Sequence, residues 1–419
     1  VMSAPVSAAR RAFPWLVVAG VLVAALSLRA PVLAVSPVLR DIEHDLGLDA
    51  AGASLIMTSA VLMFAVVTPA AALVIRRAGP ELALLVCLAG VIAGTLVRSA
   101  PVYGWMIAGM IVTGAAITIG NVVIPVIIRR DVPERHVATV TAAYTAMLNV
   151  GSLFATLGTA PLAEAIGWPV ALLSWSVLSI VGVALWAVHL GRDRAAGATW
   201  GERYSGETGA TGAAAEAVAM TGPVPVLTGR GRALRHPAVW LLTATFACQS
   251  AAYYVLSTWL PAMATDLIGV DTTTAGALAS IFQGGAIVGA FVVPVLARYL
   301  PLMVPAVVVS ACWIAVSAGL LVAPQLLALW AAIGSVAHAG GFVVIFTVLM
   351  RVARTDAEAA TGSALVQGLA YVFGTVGAPV AGALHDATGG WAASLSFSLA
   401  LGIGFAAFLI CAVIGSQRR

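Results

Sequence analysis

The sequence predicts an all-α polytopic membrane protein with twelve crossings arranged as two pseudo-symmetric six-helix bundles. Three observations carry that prediction. Of the 419 residues, 61% are apolar and only 9% charged, whereas a water-soluble domain carries about a quarter charged residues. The apolar residues fall into runs of the roughly 20 residues that a helix needs to cross a bilayer, too long for barrel strands. Finally, the second half of the chain repeats landmarks of the first.

Apolar runs bounded by Gly, Pro and charge clusters define the spans in order. Span one covers 14–38, from Pro14-Trp15 to Ser36-Pro37. Arg10 and Arg11 precede it as in a signal peptide, but the apolar run exceeds the usual core of about 7–15 residues. It reads as a retained crossing. Span two (50–75) ends at Arg76-Arg77, and span three (80–99) opens at Pro80. Span four (103–128) stops at Arg129-Arg130, span five covers 137–160, and span six (168–190) follows Gly167. Residues 191–236 are rich in Arg, Glu, Gly, Thr and Pro without an apolar period, which reads as a flexible linker. Spans seven to twelve are 237–264, 273–297, 301–322, 325–350, 358–383 and 390–414. The domain reading is therefore 1–190 as one bundle, 191–236 as linker and 237–419 as the second bundle.

Charge placement sets the expected orientation. The chain has no lysine, and 18 of its 21 arginines lie at the N-terminus, after even-numbered spans, in the linker or at the C-terminus. Arg40, and with it Arg98, belongs to the opposite side, beside Asp41, Glu43, Asp45, Asp49, Glu164, Asp266, Asp271 and Asp386. The positive-inside rule then puts both termini and the linker in the cytoplasm, in a cytoplasmic membrane. The net charge of +4 is thus a topology signal, and no nucleic-acid partner is expected.

The repeat is readable residue by residue. Gly47-Leu48-Asp49 through Gly52 matches Gly269-Val270-Asp271 through Gly276, and Pro69 before Arg76 matches Pro294 before Arg298. Gly151 and Gly374 lie 223 positions apart, as do Gly167-Trp168 and Gly390-Trp391. Parallel repeats joined by a cytoplasmic linker are the plan of a carrier whose site lies at the repeat interface near midplane.

With those residues in view, the chain resembles the major facilitator superfamily, and within it the cyanate permease and 2-nitroimidazole transporter branch. The branch resemblance rests on Ser27-Leu28-Arg29-Ala30-Pro31 through Leu39, Gly120-Asn121-Val122-Val123-Ile124-Pro125, and Gln249 through Tyr253-Tyr254 to Trp259-Leu260-Pro261. It continues with Gln367 and Tyr371, and with Leu384-His385-Asp386 before Gly389-Gly390-Trp391. The resemblance implies a secondary transporter for a small planar polar solute, anionic like cyanate or neutral like a nitroimidazole. One departure stands out. The superfamily's Gly-x-x-x-Asp-Arg-x-Gly loop reads Ala72, Arg76, Arg77 and Gly79 here, so the usual glycine and acid are missing.

Ionisable groups inside spans cost about 2.5–3.5 kcal/mol or more and are functional hypotheses by default. Only Arg29 in span one and His338 in span ten qualify, since no Asp or Glu lies near the middle of any span. The guanidinium fork of Arg29 suits an oxyanion or nitro group. Its competing reading is a snorkelling side chain that reaches headgroups or helix carbonyls. His338 is the one candidate for proton coupling; its competing reading is a hydrogen bond across a small-residue helix contact. The neutral candidates for substrate binding are Asn121, Tyr144, Gln249, Tyr253, Tyr254, Gln283, Gln367 and Tyr371, with Asn149 nearby. Singly, such residues also serve as glue between helices.

Trp15, Trp105, Trp168, Trp240 and Trp391 fall near span ends and read as interfacial anchors. The four cysteines show neither metal-ligand spacing nor a paired framework, so no metal and no cofactor is expected. An enzyme would need a nucleophile and base or paired carboxylates near one face, and none is visible. A phosphate-binding lysine loop is impossible without lysine. The expected partners are a small-molecule substrate, protons and the lipid bilayer, with a monomer as the functional unit. A multidrug-type exporter of the same superfamily is the alternative reading, followed by a non-transporting sensor or a membrane enzyme.

Overall fold

The computed structural model describes residues 14–195, 237–353 and 356–417. Among them every regular element is helical. Eleven stretches are long and apolar enough to cross a membrane. The first five residues of the expected linker, 191–195, instead continue the helix that ends at Ala195; the rest of the linker and both chain ends lie outside the described residues.

α1 (Trp15–Leu33) ends earlier than span one was drawn, because Pro31 interrupts its last turn. A short 3-10 turn (Ser36–Val38) and α2 (Leu39–Leu46) follow. α2 buries Leu39 and Ile42, exposes His44 and Asp45 and keeps most of the Glu43 side chain covered, so the expected loop is instead an amphipathic helix lying on the end of the bundle. Gly47 closes it in the left-handed region at φ 61°.

Spans two and three form one 49-residue element, α3 (Ala50–Arg98), broken where Gly79 adopts φ 81° and ψ 160°. That residue would be strained with any side chain. The turn is held by the ion pair of Glu81 with Arg130 at 2.6 Å, a local tie in a loop that lacks the superfamily's usual acid. α4 (Tyr103–Asp131), α5 (Glu134–Ile166), α6 (Trp168–Ser174) and α7 (Ser176–Ala195) complete the first half.

The second half runs α8 (Pro237–Ile268), α9 (Thr272–Tyr299), α10 (Met303–Val322), α11 (Leu327–Val352), α12 (Asp356–Gly374), α13 (Gly377–Thr388) and α14 (Ala392–Gln417). Span eleven is therefore two helices with a break just beyond Tyr371.

Equivalent contacts recur in the two halves. A β-carbon at Gly151 would stand 2.6 Å from the Leu26 carbonyl; the matching contact is that of Gly377, 2.5 Å from the Ala251 carbonyl, and not that of Gly374, which the 223-residue offset picks out and which meets Ser250 Cβ. Gly151 and Gly377 let the inner helices of their half touch. Asp49 caps α3 through the Gly52 N–H (2.7 Å), and Asp271 caps α9 through the Thr274 N–H (2.9 Å). The Trp168 indole donates to Asp45 and the Trp391 indole to Asp266, each at 2.8 Å. Those two tryptophans are buried. They hold acids in place and do not act as the lipid-interface anchors expected of them; Trp15, Trp105 and Trp240 are exposed.

The halves meet along α5 with α9 and along α3 with α13. At the acidic end they are also tied by polar contacts. Arg40 pairs with Asp266, and Ser36 Oγ donates to the Thr258 carbonyl at 2.9 Å. Asp386, at the end of α13, accepts the Ala50 N–H (2.9 Å) at the start of α3. Glu164, at the end of α5, accepts from Thr273 Oγ1 (2.7 Å) at the start of α9. The last two contacts are repeat-related: in each half the acid ending the fifth span holds the helix start of the second span of the other half. The molecule is closed at its acidic end.

Candidate functional site

Arg29 lies in the last third of α1, two residues before Pro31, and retains some accessible surface although it sits deep among helices. Four tyrosines lie within electrostatic range of its guanidinium: Tyr144 from α5, Tyr253 and Tyr254 from α8, and Tyr371 from α12. His338 of α11 lies in the same field. Carboxylates are absent from this set. A desolvated guanidinium costs several kcal/mol unless its charge is answered. Hydroxyl dipoles answer it only in part, which leaves the site suited to an anionic or strongly polarised guest.

The α8 side of the cluster is an aromatic wall. The Tyr253 ring stacks on His338 with centroids 4.0 Å apart and planes 19° from parallel, and on its other neighbour Phe282 at 5.8 Å. Tyr254 meets Tyr253 edge-on at 5.2 Å. Tyr371 meets Phe246 at 5.7 Å and, across the two halves, Phe64 at 6.5 Å. Flat rings around a planar guanidinium favour a flat guest.

Hydrogen bonds fix some polar groups and leave others open. Tyr253 Oη donates to Gln283 Oε1 at 3.3 Å, and Gln249 Nε2 donates to the His338 carbonyl at 3.1 Å. Gln367 Nε2 donates to Ser363 Oγ at 3.0 Å on α12, one helical turn before Tyr371. Tyr144 Oη, His338 Nδ1 and Gln249 Oε1 are buried atoms without a hydrogen bond. Buried atoms without a partner also occur away from the cluster, at Thr113 Oγ1, Trp186 Nε1 and Trp313 Nε1 for example; those of Tyr144, His338 and Gln249 stand out by lying at or beside it.

Sequence-predicted residues thus sort by contact. Arg29, Tyr144, Tyr253, Tyr254, Tyr371 and His338 share one field; Gln283 and Gln249 join through Tyr253 and His338; Gln367 sits a turn away on α12. Asn121 of α4 follows Gly120, whose absent side chain leaves room for Leu28, the neighbour of Arg29. Asn149 Nδ2 donates to the Thr145 carbonyl within its own helix, at 3.2 Å.

Three features were not read from the sequence. Phe64, Phe246 and Phe282 furnish the wall, and no local pattern separates them from lipid-facing phenylalanines. Arg98, expected with the loop charges, has no exposed surface. The cross-half ties of Glu164 and Asp386 depend on contacts more than 100 residues apart in the chain.

Two six-helix halves around an interior polar cluster define a polytopic membrane transporter rather than an enzyme. More particularly, the chain belongs to the major facilitator superfamily, whose family model matches residues 17–367. It is 28% identical over 397 residues to the 2-nitroimidazole transporter of Escherichia coli (strain K12), covering 94% of each chain. It is 27% identical to the uncharacterized transporter YycB of Bacillus subtilis (strain 168), over 90% of this chain and 88% of that one. Its fold is similar to that of a bacterial homologue of the human lysosomal transporter Spinster, solved inward-facing and unoccupied. There the TM-score is 0.71 at 15% identity, covering 96% of this chain and 97% of the other.

Proposed function

We propose that this protein is a secondary transporter that moves a small, planar, polar or anionic solute across the cytoplasmic membrane by alternating access, with Arg29 as the principal substrate contact. The observation that carries this reading is the lone guanidinium set among tyrosine hydroxyls and aromatic faces, without a carboxylate in its field. The Escherichia coli relative, a 2-nitroimidazole transporter, supports a flat heteroaromatic or similarly sized guest. The gathering of 18 of 21 arginines at one end of the helices supports a cytoplasmic assignment for that end. The acidic end, closed by the cross-half ties, is then external, and residues 191–236 link the halves in the cytoplasm.

The reading is tested by a binding screen of purified protein against cyanate, other small anions and 2-nitroimidazole, repeated with Arg29→Ala and Arg29→Lys. Arg29→Ala should abolish binding while leaving folded yield largely intact. Arg29→Lys should rescue poorly, because a single ammonium cannot replace the fork. Wild-type affinity in the alanine variant removes Arg29 from the site.

A further inference from the structure

The helix that carries Arg29 is weakened just beyond it. Pro31 has no N–H, so the Ser27 carbonyl loses its helical donor. The Val35 N–H, which would continue the ladder to Pro31, turns instead to the Val32 carbonyl at 3.4 Å. The Pro31 carbonyl is taken up by Arg98 Nη1. The same nitrogen lies 3.3 Å from Met110 Sδ on α4, and Nη2 donates to the Leu172 carbonyl of α6 at 3.4 Å. The Arg98 side chain is wholly buried at the end of α3, its contacts include no carboxylate, and its Nε makes no hydrogen bond.

A buried guanidinium held by two carbonyls and a thioether, with no carboxylate to answer its charge, carries a large desolvation cost and is a poor source of stability. The position of its donors suggests another use. We propose that Arg98 is a positioning residue of the transport site: by bridging the Pro31 carbonyl of α1 to α4 and α6, it sets the direction in which Arg29 faces the interior. This rests on the reading of Arg29 as the substrate contact. The fork matters because one guanidinium reaches two carbonyls on different helices at once. An ammonium on the same stem can hold one of them.

The test does not depend on knowing the solute. Purified full-length wild type, Arg98→Met and Arg98→Lys are treated in detergent with phenylglyoxal, an arginine-selective reagent. Mass spectrometry reads the modification rate at Arg29, with the ion-paired Arg130 as internal reference, and thermal unfolding is followed in parallel. In Arg98→Met the Arg29 rate relative to Arg130 should rise at least about fivefold, as the last turn of α1 frays, with at most a small fall in the unfolding midpoint from the two carbonyls left without a donor. Arg98→Lys should return the ratio part of the way toward wild type. An unchanged ratio in both folded variants overturns the proposal. So does a uniform rise at both arginines with a lowered midpoint, or failure of both variants to fold, since each assigns Arg98 to the fold alone. Should Arg29→Ala keep wild-type solute binding while Arg98→Met still shifts the Arg29 rate, the link between the two arginines stands and the substrate role of Arg29 falls.

Discussion

Tyr144 buries its whole side chain yet its hydroxyl makes no hydrogen bond, within the field of Arg29. An unsatisfied buried hydroxyl contributes nothing to the fold, and removing it should not cost stability. Tyr144→Phe is therefore expected to leave the unfolding midpoint unchanged or slightly raised. Solute affinity should drop about two- to twelvefold, the worth of one hydrogen bond of roughly 0.5–1.5 kcal/mol. Unaltered affinity, read by titration calorimetry, would put the hydroxyl outside the site. His338 poses a different question, since it is the one imidazole near the middle of a span and its Nδ1 also lacks a hydrogen bond. As a proton carrier it predicts that His338→Gln uncouples flux in proteoliposomes and flattens its dependence between about pH 5 and 8. Accumulation against a gradient with the pH profile intact in that variant would sink the proton role.

Helix ends, rather than helix faces, carry the closure at the acidic end. A carboxylate at a helix start is stabilised by the unpaired N–H groups and the dipole there, typically by 0.3–1 kcal/mol and up to about 2 kcal/mol. Asp386 places such a contact on the Ala50 N–H of α3, and in the other direction Glu164 ties the start of α9 through the Thr273 hydroxyl. Losing both charges should shift the balance toward a molecule open at that end by about three- to thirtyfold. Spin labels at His44→Cys and Ala387→Cys, both exposed positions, with Cys411 replaced by serine, report the separation. Asp386→Asn with Glu164→Gln should populate a longer distance; an unmoved distribution would show that the two ties bias nothing. The cap of α9 behaves differently with pH. Hydrogen bonds from the Thr274 hydroxyl (2.6 Å) and N–H (2.9 Å) hold the Asp271 carboxyl below the usual carboxylate range. That cap therefore persists through neutral pH and is lost only as pH falls through the lowered value.

At the scale of the molecule, the arginines define the working axis: 18 of 21 gather at one end together with nine of the 17 acids, and the remaining eight acids outnumber Arg40 and Arg98 at the other. That imbalance predicts a fixed sidedness in the cell. A cysteine at Ser205, within the 191–236 segment, should react with a membrane-impermeant maleimide only after the cells are opened. His44→Cys should react in intact cells. Labelling of the 205 position from outside would reverse the assignment and with it the direction in which the closed end faces. Close approach of the halves adds a steric condition to the electrostatic one, since a β-carbon at Gly382 would stand 2.8 Å from the Ala50 backbone. Closure thus needs a bare α-carbon there as well as the charge four residues on at Asp386.

Much of this protein is legible along the chain because hydropathy and charge are local properties. Runs of about 20 apolar residues must become helices in lipid, so the spans, the sidedness signal and the repeat all follow from counting. Arg29 was legible for the same reason: it is the lone arginine near the middle of a span. Other features depended on how helices were rotated and which helix lay beside which. Each residue turns the helix by about 100°, so an uncertainty of two residues in a boundary or a break decides whether a side chain meets lipid or the interior. The kink at Gly79 and the interruptions at Pro31 and Thr375 reset that phase. Packing alone brought tyrosines from three helices to one guanidinium, turned Arg98 inward from what reads as a loop charge, and set two acids on helices of the opposite half. Such contacts join residues far apart in sequence, and no local pattern encodes the angle at which two helices meet.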